Sequence, residues 1–202
     1  MGTIDIEKIT LTKGSHSSRD KGVCFNEAAA WLAGEPHSDS PKCVCPAVRA
    51  ATMRLNDIIT DDATRNELMK PLLLKAVGSA STHKTYVKRG FVAADFTVRV
   101  IAPAWLDLAG KPELAAKLRA MTSIINKETA IAACDFIRSV YPRSPYYYAA
   151  AAADAAAISS KRWYEVYNAT YKRIYEKLNM PENHLASWKR GIQMIEAMLA
   201  VK

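Results

Sequence analysis

Residues 84–102 read KTYVKRGFVAADFTVRVIA, and their spacing decides the fold class. Val87, Phe91, Ala94, Val98 and Ile101 recur at alternating intervals of four and three. That period follows the turn of an α-helix and lays one apolar stripe along one side of it. The strict alternation of a half-buried strand is missing. Pro103 comes next, and a proline inside a helix removes a donor and clashes with the preceding turn. The spacing therefore predicts a helix over 84–102 that ends at Pro103, then a short turn over 105–108 closed by Gly110.

The same signals continue on both sides. Towards the C-terminus, Pro112 opens a helix to about Met121. Asn126 caps another to about Tyr141, with Ile131, Cys134 and either Ile137 or Arg138 on one side. Beyond Pro142 and Pro145 a long helix is predicted over 146–178. Its tract YYYAAAAADAAAISS favours helix because alanine loses no side-chain entropy there. A last helix runs to Ala200, with Trp188, Ile192, Ile195 and Leu199 as the stripe that packs on the long one. Towards the N-terminus, Thr60, Asp61 and Asp62 offer caps for a helix from Ala63 to about Lys70, which Pro71 kinks or restarts. Pro46 suits the first turn of a helix to about Ile59. Residues 23–33 form a short helix closed by Gly34, with Trp31 buried against the core. Only residues 3–11, TIDIEKITL, alternate, which predicts a short strand or extended arm. The chain is thus predicted to be all-α, a compact multi-helix domain over 1–202 with a short N-terminal extended segment. Its parts are an arm and loop over 1–22, a helical core with a Cys/His segment over 23–145, and the long and last helices over 146–202.

With half of its 202 residues apolar, the chain can fill a core without disulfide staples. Four cysteines and no apolar leader at the N-terminus predict a reducing, cytoplasmic setting. No stretch approaches the ~18 apolar residues of a membrane span, so no membrane partner is expected. Charge is uneven: residues 1–62 hold 7 basic and 9 acidic side chains, net −2, and residues 63–202 hold 21 and 11, net +10. Such asymmetry fits an anionic partner for the C-terminal part, or simply a soluble surface.

Chemistry-bearing residues crowd into CFNEAAAWLAGEPHSDSPKCVCP, residues 24–46. Cys24, His37, Cys43 and Cys45, with His16 as an alternate, could supply zinc with a tetrahedron of thiolates and an imidazole. The single residue between Cys43 and Cys45 is shorter than the usual spacing of a zinc knuckle, and the same thiols equally suit small buried hydrophobes. Cys45, just before Pro46 at a helix start, also suits a nucleophile with His37 and Asp39 near it in sequence. Glu27, Glu35, Asp39 and Asp57 suit acid–base work or structural ties to helix ends.

This segment resembles a family of uncharacterised proteins from actinobacteria and their phages. The shared motif is C-x-x-E-A-x-A-[WY]-x-A-G-E-P-x-S-D-x-P-x-C, which runs here from Cys24 to Cys43, followed by Arg54, Asn56 and Asp57. The resemblance covers roughly residues 14–110. It implies a bacterial or phage origin and an accessory or host-interaction role, and it transfers no catalytic residue.

A second feature is SSKRWYEVYNATYKRIYEKL, residues 159–178. Tyr164, Tyr167, Tyr171 and Tyr175 share a helical face, flanked by Lys161, Arg162, Lys172 and Arg173. Aromatic platforms with basic borders suit nucleic acid, and the same rings suit packing on a neighbouring helix or a protein interface. Phosphate-loop, dinucleotide, zinc-protease and serine-hydrolase motifs are missing from the sequence. The expectation is a non-enzymatic binding or accessory protein that engages a protein partner or itself. The alternatives are a nucleic-acid-binding protein using Lys161, Arg162, Tyr164, Lys172 and Arg173, and a metal- or thiol-dependent enzyme built on residues 16–57.

Overall fold

The computed structural model describes residues 5–140 and 181–202, and every described regular element is helical. The predicted all-α class holds. The described residues fall into two compact units. One comprises the chain through His83 with Gly191–Ala200, and the other comprises Lys84–Arg190. The predicted helix over 146–178 lies outside the described residues.

In the first unit, α1 (Phe25–Leu32) packs on α2 (Pro46–Ile58) and α3 (Asp62–Ala76). Its boundaries follow from local chemistry. Gly34 takes φ 71° after α1, a conformation that side chains disfavour. Pro46 sits in the first turn of α2, and Asp61 caps α3 by accepting the Thr64 N–H at 2.6 Å. Phe25, Ala28, Ala29, Val48, Ala51, Leu55, Met69, Leu72 and Leu73 fill the core. Gly191 of α8 (Pro181–Ala200) belongs to this unit and lies so close to α2 that a Cβ would come within 3.0 Å of Leu55 Cδ1.

Three expectations are corrected here. Pro71 does not end or restart a helix: α3 runs through it as one element. Pro71 and Glu67 are both exposed, so the turn that loses a backbone donor lies on the outer side of α3. Residues 5–11 form no strand. Asp5 caps a 3₁₀ turn at Ile6–Lys8, and only an isolated parallel bridge joins Leu11 to Val23. Trp31 is half-exposed, with the Arg19 guanidinium 5.0 Å over its ring. The N-terminal turns of α1 enter the core, and its last turn faces the surface.

In the second unit, α4 (His83–Phe96) passes through a π-helical stretch, Thr97–Ile101, into α5 (Ala102–Leu108). The predicted end at Pro103 is therefore also corrected. Ala102 N–H donates to the Thr97 carbonyl five residues back, and this wider turn seats Pro103 in the first turn of α5, where its missing N–H costs nothing. Trp105, predicted in a turn, is buried on α5. α6 (Pro112–Arg119) packs on α5. Asn126 caps α7 (Lys127–Val140) by accepting the Thr129 N–H at 2.9 Å. The core gathers Ala94, Val98, Leu106, Leu118, Ala130, Ala133, Cys134 and Ile137. Cys134 is inward as predicted, whereas Ile131 is exposed and the inward stripe of α7 uses Ala130 and Ala133 instead. Among the described residues, no helix is long and apolar enough to cross a membrane.

Candidate functional site

The side chains that the sequence singled out converge on one carboxylate. Glu27 lies in the first turn of α1, and only 1 % of its side chain is exposed. A buried carboxylate is tolerated only when its oxygens are occupied. Oε1 accepts the His16 backbone N–H at 2.6 Å. Oε2 accepts the Cys24 backbone N–H at 2.7 Å and pairs with His16 Nδ1 at 2.8 Å. His37 Nε2 stands 3.7 Å from Oε1 and donates to the His16 carbonyl at 2.8 Å. Burial pushes the Glu27 carboxyl up, and the N–H groups of His16 and Cys24 with the His16 ring pull it further down, so its pKa falls below the ordinary value.

The loop from Leu11 to Val23 is held to this centre by side chains in place of a sheet ladder. Asn66 pairs with both backbone groups of Leu11 at 2.8 and 2.9 Å. Asn56 donates to the Thr12 carbonyl at 3.0 Å and accepts the Phe25 N–H at 3.2 Å. Asp57 accepts the Gly14 N–H at 3.0 Å. Arg65, fully buried, donates to the carbonyls of Asn56 and Ile59 and to Asp62, closing the C-terminal end of α2 with a cation. Asp57 and, through the Lys42 N–H at 2.7 Å, Glu35 thus act as ties, one of the two uses the sequence offered for these acidic groups, and the neutral Asn56 does the same.

A hydroxyl completes the centre. Thr12 Oγ1 lies 3.1 Å from His16 Nε2 and 3.3 Å from the Val23 carbonyl. Carboxylate, imidazole and hydroxyl therefore stand in series. Gly22 makes this possible: its φ is 127°, and a Cβ there would fall 2.7 Å from Thr12 Oγ1 and 2.8 Å from His16 Nε2. Sequence reading missed Thr12, because a threonine in a polar loop carries no pattern. The one available signal was the spacing of Thr12, His16 and Gly22 around the loop.

The expected zinc ligands take different places. Cys24 caps α1 and is buried, and desolvation pushes its thiol up to about 12. Cys43 Sγ lies 3.8 Å from the Ala29 carbonyl, and burial, with Glu35 beside it, raises its pKa as well. Cys45 is buried at the start of α2, its N–H donating to Ser79 Oγ at 3.0 Å. His37 turns to His16 and Glu27. Among the described residues, no three Cys, His, Asp or Glu side chains are arranged to hold one metal ion; metal analysis of the purified chain decides the zinc expectation directly. Lys161, Arg162, Tyr164, Lys172 and Arg173 lie outside the described residues. No family model, no curated protein and no solved structure matches this chain, so the resemblance rests on the motif residues alone.

Proposed function

We propose that this protein acts by binding a macromolecule, as an accessory protein whose partner is another protein or a second copy of itself. The observation that carries this reading is an apolar groove between α6 and α7 in the second unit. It offers about 540 Å³ over Ala120, Met121, Ala132 and Phe136, with Lys117 and Glu128 at its rim. An apolar floor with a charged border is the composition of a protein interface. A photo-crosslinker placed at the exposed Ala132 tests it. The expected result is one discrete adduct, with a second copy or another macromolecule, that disappears in a Phe136→Glu background. An adduct pattern identical to that from a crosslinker at Glu67, in the other unit, overturns it.

The net charge of +10 over residues 63–202 supports a second reading, nucleic-acid binding through the basic aromatic segment. Phosphate contacts release counterions, so log Kd should rise steeply with log salt. Replacing Lys161, Arg162, Lys172 and Arg173 with Glu should abolish such binding. Oligonucleotide affinity that survives both high salt and this reversal rejects it.

A further inference from the structure

We propose that Thr12, His16 and Glu27 form an acyl-accepting site, in which the Thr12 hydroxyl attacks small activated esters. This goes beyond the binding reading above and does not depend on it. The geometry has the three parts that nucleophilic catalysis by a hydroxyl needs: a hydroxyl within hydrogen-bond reach of a base, the base oriented by an acid, and the acid itself fixed. Thr12 Oγ1 is 3.1 Å from His16 Nε2, and His16 Nδ1 is 2.8 Å from Glu27 Oε2. A carboxylate only accepts, so Nδ1 carries the hydrogen and the Nε2 lone pair faces the hydroxyl. The N–H groups of His16 and Cys24 hold the carboxylate at 2.6 and 2.7 Å.

Access is also provided. Thr12 is half-buried, and 13 % of the His16 side chain is exposed. Gly22 keeps the hydroxyl and the ring uncovered where any side chain would sit against both. The N–H of Lys13, the residue after the hydroxyl, has no acceptor among the described residues, and an oxyanion formed on Thr12 would call for such a donor. Approach is from the solvent side of a surface loop, so the substrate class is a small, unhindered acyl group on a good leaving group. In the step itself, the Oγ1–carbon bond forms as the hydroxyl proton moves to His16 Nε2 and the carbonyl pair moves to oxygen. Collapse re-forms the carbonyl and breaks the bond to the leaving alkoxide, which takes the proton from Nε2. Water, deprotonated by Nε2, then attacks the acyl carbon, and Thr12 Oγ1 leaves, taking that proton back from Nε2 as the acid is released. The net reaction is ester plus water to acid plus alcohol. The competing contact, Thr12 Oγ1 to the Val23 carbonyl at 3.3 Å, is the longer of the two and makes a purely structural hydroxyl the alternative outcome.

The test is incubation of the whole folded chain with p-nitrophenyl acetate, following nitrophenolate release and mapping acetyl groups by peptide mass. The expected result is acetylation of Thr12 with turnover that falls about a hundredfold or more in His16→Gln, the loss typical of a missing general base. Thr12→Val should lose the adduct while still unfolding cooperatively, at a lower midpoint for the lost hydroxyl contacts, and Thr12→Ser should restore the adduct. A native wild-type chain that carries no acetyl on Thr12, or carries it equally in His16→Gln, overturns the proposal and leaves Thr12 a structural tie.

Discussion

Replacing Glu27 with Gln is the sharpest test of the buried centre, because it changes one atom and no volume. The two carboxylate oxygens divide their donors: Oε1 takes the His16 N–H, Oε2 the Cys24 N–H and the His16 ring. Whichever way the amide turns, its NH₂ meets at least one backbone N–H that has nowhere else to go. A hydrogen bond to a charged group contributes about 1.5–3 kcal/mol, and an orphaned buried donor costs about 1–3 kcal/mol more. The ion pair with His16 weakens as well, so a loss of ~3–5 kcal/mol is expected, in the range for breaking a buried charged network. Urea unfolding followed by circular dichroism measures it as a shift of midpoint at constant slope. The pH dependence gives an independent check. The folded pKa of Glu27 is depressed, so its contribution is present above the unfolded value near 4.5 and is lost as pH falls through the folded one. Wild type should lose more stability than Glu27→Gln between neutral pH and acid. A substitution that costs under ~1 kcal/mol, or identical acid profiles, refutes the account of Glu27 as the hub.

Four further outcomes are expected. Gly22→Ala forces a Cβ to within 2.8 Å of the His16 ring at φ 127°, so a loss of ~2–4 kcal/mol in the same urea assay is expected, combining backbone strain and the broken Thr12–His16 pair. Gly191→Ala presses on Leu55 Cδ1 at 3.0 Å, an overpacking cost of ~1–3 kcal/mol that Leu55→Ala should partly relieve in a double-mutant cycle. Trp31→Ala should cost only ~1 kcal/mol, since the ring is half-exposed and its cation–π contact with Arg19 is a surface one. Native-state thiol labelling should reach Cys43 first and leave Cys24, Cys45 and Cys134 protected, because the thiolate is the reactive form and these three are buried.

The helices were legible wherever residues at a period near 3.6 met a capping signal. Asp61, Asn126, Pro46, Pro112 and Gly34 each mark a boundary through their own backbone chemistry, which needs no tertiary partner. Pro71 and Pro103 misled because a proline's cost depends on what happens to the carbonyl it strands. At Pro71 the proline and Glu67 lie on the exposed side of α3, and before Pro103 the helix widens by one residue. The N-terminal arm misled for a similar reason: alternation describes which side chains point inward and not what its backbone pairs with. In the last helix the buried face is rotated from Ile192 and Leu199 to Gly191, Met194, Ile195 and Met198, because a glycine that admits close packing has no hydrophobic signal. At the site, His16, Glu27 and His37 stood out as chemical types. Their grouping by hydrogen bonds, and the exclusion of Cys43 from it, depended on contacts between loop and helix that spacing does not encode.

The polar centre also explains why a mainly helical unit keeps an irregular loop over 11–23. An isolated β-bridge cannot satisfy the backbone there, and a buried orphan N–H or carbonyl costs as much as a lost hydrogen bond. Asn66, Asn56, Asp57 and Glu27 take over that task from four positions on three helices. Each is polar and buried or half-buried, so each adds a desolvation cost that apolar residues would avoid. What the arrangement gains is a fixed backbone: every one of these side chains accepts from a specific N–H or donates to a specific carbonyl, and a shift of one residue would break several together. The loop is therefore held in one register by side-chain chemistry, and that register is what brings Thr12 to His16 and His16 to Glu27. A loop tied only by apolar contacts could slide without comparable loss and would not keep hydroxyl, imidazole and carboxylate in line.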